Sequence, residues 1–493
     1  MDPQSAHVRL YDRLDDLDDI LEPLGRRFAD AGFELALVGG SVRDALLGRP
    51  MPDLDFTTDA RPDDILALIS DWADAHWDIG RDFGTIGAMK SGVQIEITTY
   101  RAEAYEPESR KPVVRFGDSL DDDLVRRDFT IGAMAVRLPE KTFVDPHQGF
   151  DDLLAGRIRT PGAAEDSFSD DPLRMMRAAR FTSQLGLDPD PEVEAAMEAM
   201  AGRIAIISAE RIQVELVKLI TGTDPAAGID LLVRTGLADH VLPEVSGLRL
   251  ETDEHHRHKD VYQHSLTVLR QAVDLEAEYA ARQRRADMSA DDPQHLPEPD
   301  FVVRFAALMH DVGKPATRNF VNGGAVTFYH HDVVGAKLTA KRMKALRFDK
   351  DTTKAVARLV ELHLRFYGYG DAGWTDAAVR RYVTDAGSLL IRLHILTRAD
   401  VTTRNRKKAD RLAFAYDDLE HRISALAAQE ELAAIRPDLD GRQIMEILGI
   451  EPSPLVGKAY KHLLELRLEH GPLGAERAEA ELRAWWAENA PAE

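Results

Sequence analysis

The stretch "VGGSVRDALLGRPMPDLDF", residues 38–56, places a glycine pair, an arginine and two closely spaced aspartates in one short segment. The apolar run that leads into it, "FELALVGG", predicts a strand that enters a tight turn at Gly39 and Gly40. "SVRDALLG" predicts a helix opened by Ser41 and closed by Gly48, and "DLDFTT" predicts a second strand. The segment is therefore either a turn before a solvated charged strand or a site that holds a triphosphate against metal ions.

The two aspartates favour the second interpretation. Asp53 and Asp55 lie two apart on the predicted strand, so both side chains leave the same face. Two carboxylates on one face repel each other unless cations lie between them, and Mg²⁺ prefers oxygen ligands that it often shares with substrate phosphates. Two such ions can activate an attacking hydroxyl and stabilise a leaving pyrophosphate. Glu96, in the predicted strand "QIEIT", could add a third carboxylate.

The glycine turn suits the triphosphate. Gly39 and Gly40 let the backbone approach a phosphate closely, and the N-terminus of the following helix favours an anion. Arg43 lies in the first turn of that helix and could reach the triphosphate. A surface Asp-x-Asp is the alternative, and the turn ahead of the pair makes it less favoured.

A second motif is "DDPLRMMRAARF", residues 170–181. Asp171 could simply cap a helix that has proline at its first position. Arg174, Arg177 and Arg180 then fall three apart, and the residues between them are methionine and alanine, so the helix itself offers no acidic partners. A carboxylate with a guanidinium can pair with a base edge, while further arginines neutralise phosphates.

Composition limits the class of protein. The 493 residues predict about three or four domains at roughly 100–200 residues each, and the formal charge of −23 argues against nucleic-acid binding by bulk charge. A local basic groove stays compatible with that charge. The absence of cysteine leaves histidines and carboxylates as metal ligands. No signal-peptide pattern and no apolar run near ~18 residues is present, so we expect a soluble cytoplasmic protein without membrane contact.

Histidines and aspartates cluster in the second half, in "VYQHSLTVL", "ALMHDVGK", "FYHHDVVGAK", "VELHLRF" and "TRADVTTRN". A lone buried histidine is more often structural than a ligand. An adjacent His-Asp pair with further such residues on other predicted helices suits a divalent metal and hydrolysis. The candidate ligands are His264, His310, Asp311, His331, His363 and Asp400.

The order of elements predicts an α+β protein. Strands and helices alternate in the first part, and strand signals mostly disappear after about residue 170. We expect one amphipathic helix over 10–31, a charged linker or long loop over 278–300, and helices from 430 onward.

The first half resembles the class II tRNA nucleotidyltransferases, the CCA-adding enzymes, which are close kin of bacterial poly(A) polymerases. The segments that carry the resemblance span roughly residues 30–240, in the order "GGSVRDALLGRPMPDLDF", "EITTYR", "RRDFTIGAMA", "GFDDLLAGRIR", "DDPLRMMRAARF" and "ISAERI". It implies a polymerase-β-like head followed by all-α neck and body segments.

The resemblance also implies roles. Asp53 and Asp55 would carry Mg²⁺, and Gly40, Arg43 and Arg127 would contact the triphosphate. Asp171 and Arg174 would act as a protein template for CTP or ATP, with Arg177 and Arg180 completing the nucleotide pocket. One departure is Gly132, which stands where the family usually has asparagine.

The second half resembles the HD superfamily of metal-dependent phosphohydrolases through "HDVGKP". It implies His264, His310, Asp311 and Asp400 as core ligands of a divalent transition metal, with His331 and His363 for a second metal. The expected domains are a head over 1–160, a neck and body over 161–250, an HD-type helical domain over 251–425 and a helical tail over 426–493.

We therefore expect addition of CCA to tRNA from CTP and ATP. The segment 103–113 resembles the flexible loop that full CCA-adding enzymes keep, which favours addition of all three nucleotides. The alternatives are a poly(A) polymerase and an HD-type phosphohydrolase that acts on RNA ends. The basic cluster "TRNRKKADR", residues 403–411, is either a tRNA contact or a solvated helix face. The sequence leaves the oligomeric state open.

Overall fold

The chain divides into two structural units, Met1–Pro243 and Glu244–Glu493. The computed structural model describes residues 2–100, 117, 119–250, 261–320, 326–366, 374–402, 405–430 and 435–490. The segment 103–113, on which we based the expectation of three added nucleotides, lies outside the described residues. Each unit is described by itself below.

A mixed sheet organises the first part of the first unit. Its strands are β1 (Leu35–Val38), β2 (Asp53–Thr58), β3 (Ala75–Trp77), β4 (Thr85–Lys90), β5 (Val93–Thr99), β6 (Ala135–Leu138) and β7 (Thr142–Val144). In the described residues the sheet has seven strands in the order β3-β4-β5-β2-β1-β6-β7. β2 pairs in parallel with β5 along its whole length, including Asp53 and Asp55, and antiparallel with β1 through Phe56–Thr58.

The hairpin predicted around Ser91 and Gly92 is present between β4 and β5. Both turn residues have positive φ, 51° and 79°, which is the backbone that a tight two-residue hairpin requires. Turn chemistry visible in the sequence therefore fixed the register of the strand that carries Glu96.

Helices pack around this sheet. They are α1 (Pro3–Asp16), α2 (Asp18–Asp30), α3 (Gly40–Leu47), α4 (Pro62–Ile69), α5 (Leu120–Val125) and α6 (Gly149–Ala155). The single helix predicted over 10–31 is wrong, because the chain leaves helical geometry at Leu17, which ends α1 and precedes α2. Asp18 and Asp19 then lie in the first turn of α2, where the helix dipole favours acidic side chains.

The rest of the first unit is mainly helical. Its helices are α7 (Ala164–Asp170), α8 (Leu173–Leu185), α9 (Pro191–Met200), α10 (Ala209–Ile220), α11 (Pro225–Arg234) and α12 (Ala238–Val241). The short strands β8 (Arg157–Ile158) and β9 (Asp188–Pro189) pair in parallel. Met175, Met176 and Ala179 on α8 are fully buried, so the apolar residues between the arginines form the packing face of α8.

The second unit is helical, with one small hairpin among its described residues. After α13 (Pro243–Ser246), which spans the unit boundary, its elements are α14 (Val261–Arg285), α15 (Phe301–Met309), α16 (Lys314–Thr317), β10 (Asn319–Phe320), β11 (Val326–Thr327), α17 (His331–Ala345), α18 (Lys350–Leu362), α19 (Asp376–Ala386), α20 (Leu390–Ala399), α21 (Arg406–Gln429), α22 (Gly441–Leu448), α23 (Pro454–His470) and α24 (Ala475–Asn489). Short 3₁₀ segments in the two units are Arg81–Phe83, Thr130–Gly132, Ala201–Ile206, Gly247–Leu250, His363–Phe366 and Gly387–Leu389.

The linker predicted over 278–300 is wrong in its first part, because α14 continues to Arg285. Tyr279, Ala280 and Gln283 are buried, so tertiary packing extends the helix through a segment whose composition is charged. The last three helices share a separate core that includes Ile444 and Leu482. The α+β class is as predicted. Among the described residues, none of the helices has the length and apolarity of a membrane span.

Candidate functional sites

Gly39 shapes the turn that opens the first candidate site. Its φ of 71° and ψ of −128° belong to glycine, and a Cβ there would come 2.8 Å from Nη1 of Arg127. α3 begins at Gly40 with Gly39 as its N-cap residue, one position earlier than the predicted opening at Ser41. The missing side chain thus leaves room for the Arg127 guanidinium beside the turn.

Ser41 links the turn to the aspartate strand instead of capping the helix. Its Oγ donates to the carbonyl oxygen of Asp53 at 3.3 Å and accepts from the amide of Asp55 at 3.2 Å. One buried hydroxyl therefore fixes the start of β2 against the first turn of α3. The sequence did not predict this role, because a serine at the start of a helix indicates a helix cap, whereas its contact with β2 depends on the fold.

The three candidate carboxylates lie on adjacent strands. The parallel register of β2 and β5 places Asp55 opposite Glu96 and Asp53 opposite Gln94. Burial, Asp53 and Glu96 raise the pKa of Asp55 to about 6, and Arg127 opposes the shift only in part. A divalent cation, which prefers oxygen ligands, would relieve this repulsion between the carboxylates.

The carboxylate oxygens of Asp53, Asp55 and Glu96 are nevertheless not all as close together as the ligand atoms of a preformed metal site. Among the described residues, sets of three ligand atoms within 4.8 Å of one another occur only in the second unit. Nε2 of Gln94 lies 3.4 Å from Oε1 of Glu96 and gives that carboxylate a neutral partner. Asp53 and Asp55 are thus the better supported pair, and Glu96 is the neighbour that adds charge.

Two arginines, Arg43 and Arg127, lie beside the Gly39–Gly40 turn. Arg43 donates through Nε and Nη2 to the two carboxylate oxygens of Asp44, each at 3.0 Å. Arg127 donates through Nη2 to Asp123 at 3.0 Å. An arginine has five N–H donors, so each keeps several for an anion.

Gly132 lies in the Arg127 segment. A Cβ at this position would come 3.3 Å from Oδ1 of Asp128, which is a tight contact. Asp128 is buried, and although burial opposes its ionisation, Arg177 at 2.9 Å and Arg174 together hold its pKa below the usual range. Gly132 therefore leaves space next to Asp128, the ionised aspartate that pairs with Arg177.

Asp171 and Arg174 meet partners from several elements. Oδ2 of Asp171 lies 2.6 Å from Nη2 of Arg211, and Oδ1 accepts from the amide of Leu173 at 3.1 Å. Arg174 donates to Oγ of Ser167 at 2.7 Å and to the carbonyl oxygen of Arg126 at 2.6 Å. Both side chains are held at the start of α8.

The expectation that the arginine row lacks acidic partners holds only along α8 itself. Arg177 pairs with Asp128, and the buried Arg180 pairs with Glu215 at 2.9 Å. These partners come from other parts of the chain, so periodicity along one helix could not identify them. The Phe181 ring lies 4.4 Å from the guanidinium carbon of Arg180 and 5.2 Å from that of Arg43, and it joins the row to the glycine turn.

The second candidate site brings together all six predicted ligands of the second half. One group holds His264, His310 and Asp400, and the other holds Asp311, His331 and His363. Within each group the ligand atoms lie within 4.8 Å of one another. Oδ2 of Asp311 lies 3.2 Å from Nε2 of His310, and Oδ1 lies 3.3 Å from Nε2 of His331, so this carboxylate faces both groups.

Backbone contacts orient the histidines for metal binding. The Nδ1–H groups of His310, His331 and His363 donate to the carbonyl oxygens of Ala307, Phe328 and Val360 at 2.8, 2.8 and 2.6 Å. With Nδ1 occupied by a carbonyl oxygen, Nε2 is the nitrogen that each ring offers to the cluster, which is the arrangement of a ligating histidine.

His363 gives the most direct test of fit. Its Nε2 is buried and has no hydrogen-bond partner among the described residues. Burial lowers the pKa of His363 to about 4, so the imidazole is neutral at physiological pH and can donate its lone pair. A buried acceptor beside carboxylates fits a divalent transition metal.

Three further side chains have contacts at these sites that were not predicted from the sequence. They are Ser41, Arg211 and Lys314, whose Nζ lies 2.9 Å from Oδ2 of Asp311. Arg211 lies in the quoted "ISAERI" motif and Lys314 in "HDVGKP", so motif membership was the available signal. Their partners became visible only with the fold.

Family comparisons divide the chain into three matched regions. Residues 35–159 match the family described as "Poly A polymerase head domain", and residues 261–405 match "HD domain". Residues 186–248 match the family described as "Probable RNA and SrmB- binding site of polymerase A".

Curated proteins include one relative of similar length. The A-adding tRNA nucleotidyltransferase of Deinococcus radiodurans is 32% identical over 468 residues, which cover 92% of this chain and 96% of the relative. The CCA-adding enzyme of Levilactobacillus brevis is 41% identical over 220 residues, which cover 44% of this chain and 54% of the relative. The match with such CCA-adding relatives therefore spans only about half of their length.

Solved structures share the fold over nearly the whole chain. The Bacillus stearothermophilus CCA-adding enzyme in complex with CTP aligns with a TM-score of 0.63 at 24% identity, covering 94% of this chain and 96% of that one. The Thermotoga maritima CCA-adding enzyme complexed with tRNA aligns with a TM-score of 0.56 at 16% identity, covering 94% and 93%.

Proposed function

This chain belongs to the tRNA nucleotidyltransferase family, and we propose that it adds CCA to the 3′ end of tRNA from CTP and ATP without a nucleic-acid template. The observation that carries the proposal is the joint presence, in one structural unit, of two elements. One is the Asp53/Asp55 pair behind a glycine turn, and the other is the Asp171/Arg174 pair at the start of α8.

The family uses divalent metal, and we assign Mg²⁺ to Asp53 and Asp55, with Glu96 as the adjacent carboxylate. When bound, such ions neutralise the triphosphate and activate the attacking 3′ hydroxyl. Arg43 and Arg127 then bind triphosphate oxygens with the N–H groups that Asp44 and Asp123 leave over, and the Gly39–Gly40 turn lets the backbone approach.

Base selection follows from hydrogen-bond patterns. C and A each present an amino donor next to a ring-nitrogen acceptor on the Watson–Crick edge, whereas U and G present a carbonyl acceptor next to a ring N–H. Asp171 accepts from the amino group and Arg174 donates to the ring nitrogen, so the pair matches C and A. Arg177 and Arg180 complete the pocket and balance its charge.

A second candidate is addition of the terminal A alone. It is favoured by the Deinococcus radiodurans relative, an A-adding enzyme whose match covers 92% of this chain, while the CCA-adding relative from Levilactobacillus brevis matches over 54% of its own length. Poly(A) addition is a third outcome of the same chemistry.

Three tRNA substrates separate these candidates. They end at the position before CCA, after the first C and after the second C, and each is incubated with CTP alone, ATP alone or both. CCA addition predicts two C residues from CTP on the shortest tRNA and completion by ATP. Elongation of only the tRNA that ends in CC would establish A addition, and a long A tract would establish poly(A) addition.

For the second unit, we propose a metal-dependent phosphohydrolase site that acts on RNA ends. His264, His310 and Asp400 would hold one divalent transition metal, and Asp311, His331 and His363 a second. A metal in such a site activates water for attack on a phosphoester. Removal of a cyclic 2′,3′-phosphate or a 3′-phosphate from a damaged end would free the hydroxyl that nucleotide addition requires.

We also propose the binding partners, the cellular location and the domain boundaries of this chain. tRNA, CTP and ATP are the partners, and the cytoplasm, where tRNA is processed, is the proposed location. The proposed domains remain the head over 1–160, the neck and body over 161–250, the HD domain over 251–425 and the tail over 426–493.

A further inference from the structure

Phe181, the last residue of the "DDPLRMMRAARF" motif, has a ring that meets side chains from three segments of the first unit. The guanidinium carbons of Arg180 and Arg43 lie over this ring, 4.4 and 5.2 Å from its centroid. The ring of Phe129 meets it edge-on, with the two centroids 5.8 Å apart. Arg43 belongs to α3, and Phe129 follows Arg127 by two residues. One side chain of α8 therefore contacts both segments that carry the proposed triphosphate arginines.

Packing accounts for the burial of the Phe181 ring but not for the two cations beside it. Phe181 is only 4% exposed, and an aliphatic side chain could also fill a core position. Burial lowers the pKa of Arg180, Glu215 opposes that shift, and the nearby charges of Arg177 and Arg43 add to it. The arginines therefore repel one another. The face of an aromatic ring carries negative charge, so a ring beneath two of these cations offsets part of the repulsion.

The surroundings of Arg43 make the ring contact strong. The Arg43 side chain is only 12% exposed, and an arginine over an aromatic face is held most tightly where water is excluded. Its ion-pair partner Asp44 is the next residue of the same helix, so that pair does not connect Arg43 to α8. Phe181 makes this connection, and α8 is the helix whose start carries Asp171 and Arg174.

We propose that Phe181 is a positioning residue for triphosphate binding, whose ring face holds the Arg43 guanidinium in the place where it meets the phosphates. The inference rests on the proposed triphosphate role of Arg43. Since Asp171 and Arg174 lie at the start of the same helix, the contact also sets the position of the triphosphate arginine relative to the base-reading pair. A nucleotide then finds both groups already in place, and less reorganisation is needed when it binds.

The first experiment replaces Phe181 in the full chain by phenylalanine that carries one, two or three ring fluorines. Fluorine withdraws electrons from the ring face with little change in shape, so a purely structural role of the ring would not respond. KM is measured for CTP and ATP, and Kd is measured for inorganic triphosphate, which has no base and needs no turnover. We expect both constants to rise with each fluorine, to about fivefold with three, which corresponds to ~1 kcal/mol.

The matched control is the same fluorine series at Phe28, a fully buried ring of α2 in the same unit. It should leave KM and Kd unchanged. Constants that stay level through the series at Phe181 would overturn the inference.

The second experiment is a double-mutant cycle with Arg43→Ala. If the ring acts through Arg43, three fluorines at Phe181 should not raise the Kd of inorganic triphosphate further once Arg43→Ala is present. An equal further rise would mean that the ring acts through another group, such as Arg180, and the inference would be wrong.

The two failures are distinguishable. A raised Kd in Arg43→Ala, together with a level fluorine series, overturns the role of Phe181 and leaves that of Arg43. A wild-type Kd in Arg43→Ala overturns the proposed triphosphate role of Arg43 and, with it, the inference.

Discussion

At the scale of single residues, the two arginines of the proposed triphosphate site are each paired with a nearby aspartate. Arg43 lies 2.9 Å from Asp44 and Arg127 lies 3.0 Å from Asp123. These pairs orient the guanidinium groups in advance, so less reorganisation is needed when the nucleotide binds. Gly39 permits the arrangement, because any side chain there would meet Arg127.

We expect Gly39→Ala to destabilise the first unit by ~1–3 kcal/mol, since its backbone conformation is strained for any residue with a Cβ. The new methyl group would also displace the guanidinium of Arg127, which lies 2.8 Å from its position, and KM for the nucleotide should rise. Gly162→Ala is the matched control, because its Cβ would meet nothing within 4 Å. Denaturant unfolding and steady-state kinetics measure both effects, and equal behaviour of the two variants would contradict this account of the turn.

At the scale of elements, α8 and α10 form the support of the nucleotide site. α8 presents Asp171 and its arginines, and α10 supplies Arg211 and Glu215 as partners. The buried Arg180–Glu215 pair lies between the helices, so loss of one member would leave a buried charge without a partner.

Glu215→Gln should therefore weaken the α8–α10 contact by ~3 kcal/mol, the usual loss when one member of a buried pair is removed. Glu194→Gln breaks the more exposed pair with Arg234 and should cost about 1 kcal/mol or less. Hydrogen exchange of the α8 and α10 amides measures local stability without assuming that the two units unfold together. Similar exchange in both variants would show that the buried pair is not a major contact.

The sequence predicted elements whose signals are local. The glycine turn, β2 and the Ser91–Gly92 hairpin were predicted from turn residues and alternation. The break at Leu17 and the continuation of α14 to Arg285 were not. The end of α14 depends on the burial of Tyr279, Ala280 and Gln283, which a charged composition does not reveal. For the same reason the sequence identified Asp171 and the arginine row but could not identify Asp128, Glu215 or Arg211 as their partners.

At the scale of the whole molecule, each of the two structural units carries one candidate active site. The net charge of −23 disfavours the binding of RNA by overall electrostatic attraction. RNA binding must then depend on local cations, and phosphate contacts release counterions. Arg406, Lys407 and Lys408 are exposed in the first turn of α21.

Changing Arg406, Lys407 and Lys408 to glutamine should weaken tRNA binding and reduce the slope of log affinity against log salt by about 2–3. The control changes Lys341, Lys344 and Lys350, which are exposed cations of the same unit. Binding isotherms over a salt series measure both. An unchanged slope in the first triple variant would remove this cluster from the RNA surface.

The HD cluster should bind divalent transition metal, and His310→Ala with Asp311→Ala should abolish binding, because the double change removes one ligand from each of the two groups. His421→Ala, an exposed histidine of the same unit, is the control and should keep the metal. Elemental analysis gives the metal content, and hydrolysis of a generic phosphodiester with added Ni²⁺, Mn²⁺ or Co²⁺ gives the activity. Stoichiometric metal without turnover would leave a structural site, and unaltered metal content in the double variant would refute the ligand assignment.

The central claim is that the Asp53/Asp55 site adds CCA, and the most direct test is to sequence the 3′ ends of a tRNA lacking CCA after incubation with all four nucleotides. Wild type should yield ends that read CCA. Asp53→Asn and Asp55→Asn should lower the yield by at least about a hundredfold, beyond the loss typical of outer partners of a metal ligand. Asp71→Asn, an exposed aspartate of the same unit, should behave as wild type. Ends that carry only A, a tract of A or mixed nucleotides, or CCA ends made equally by Asp53→Asn, would contradict the account.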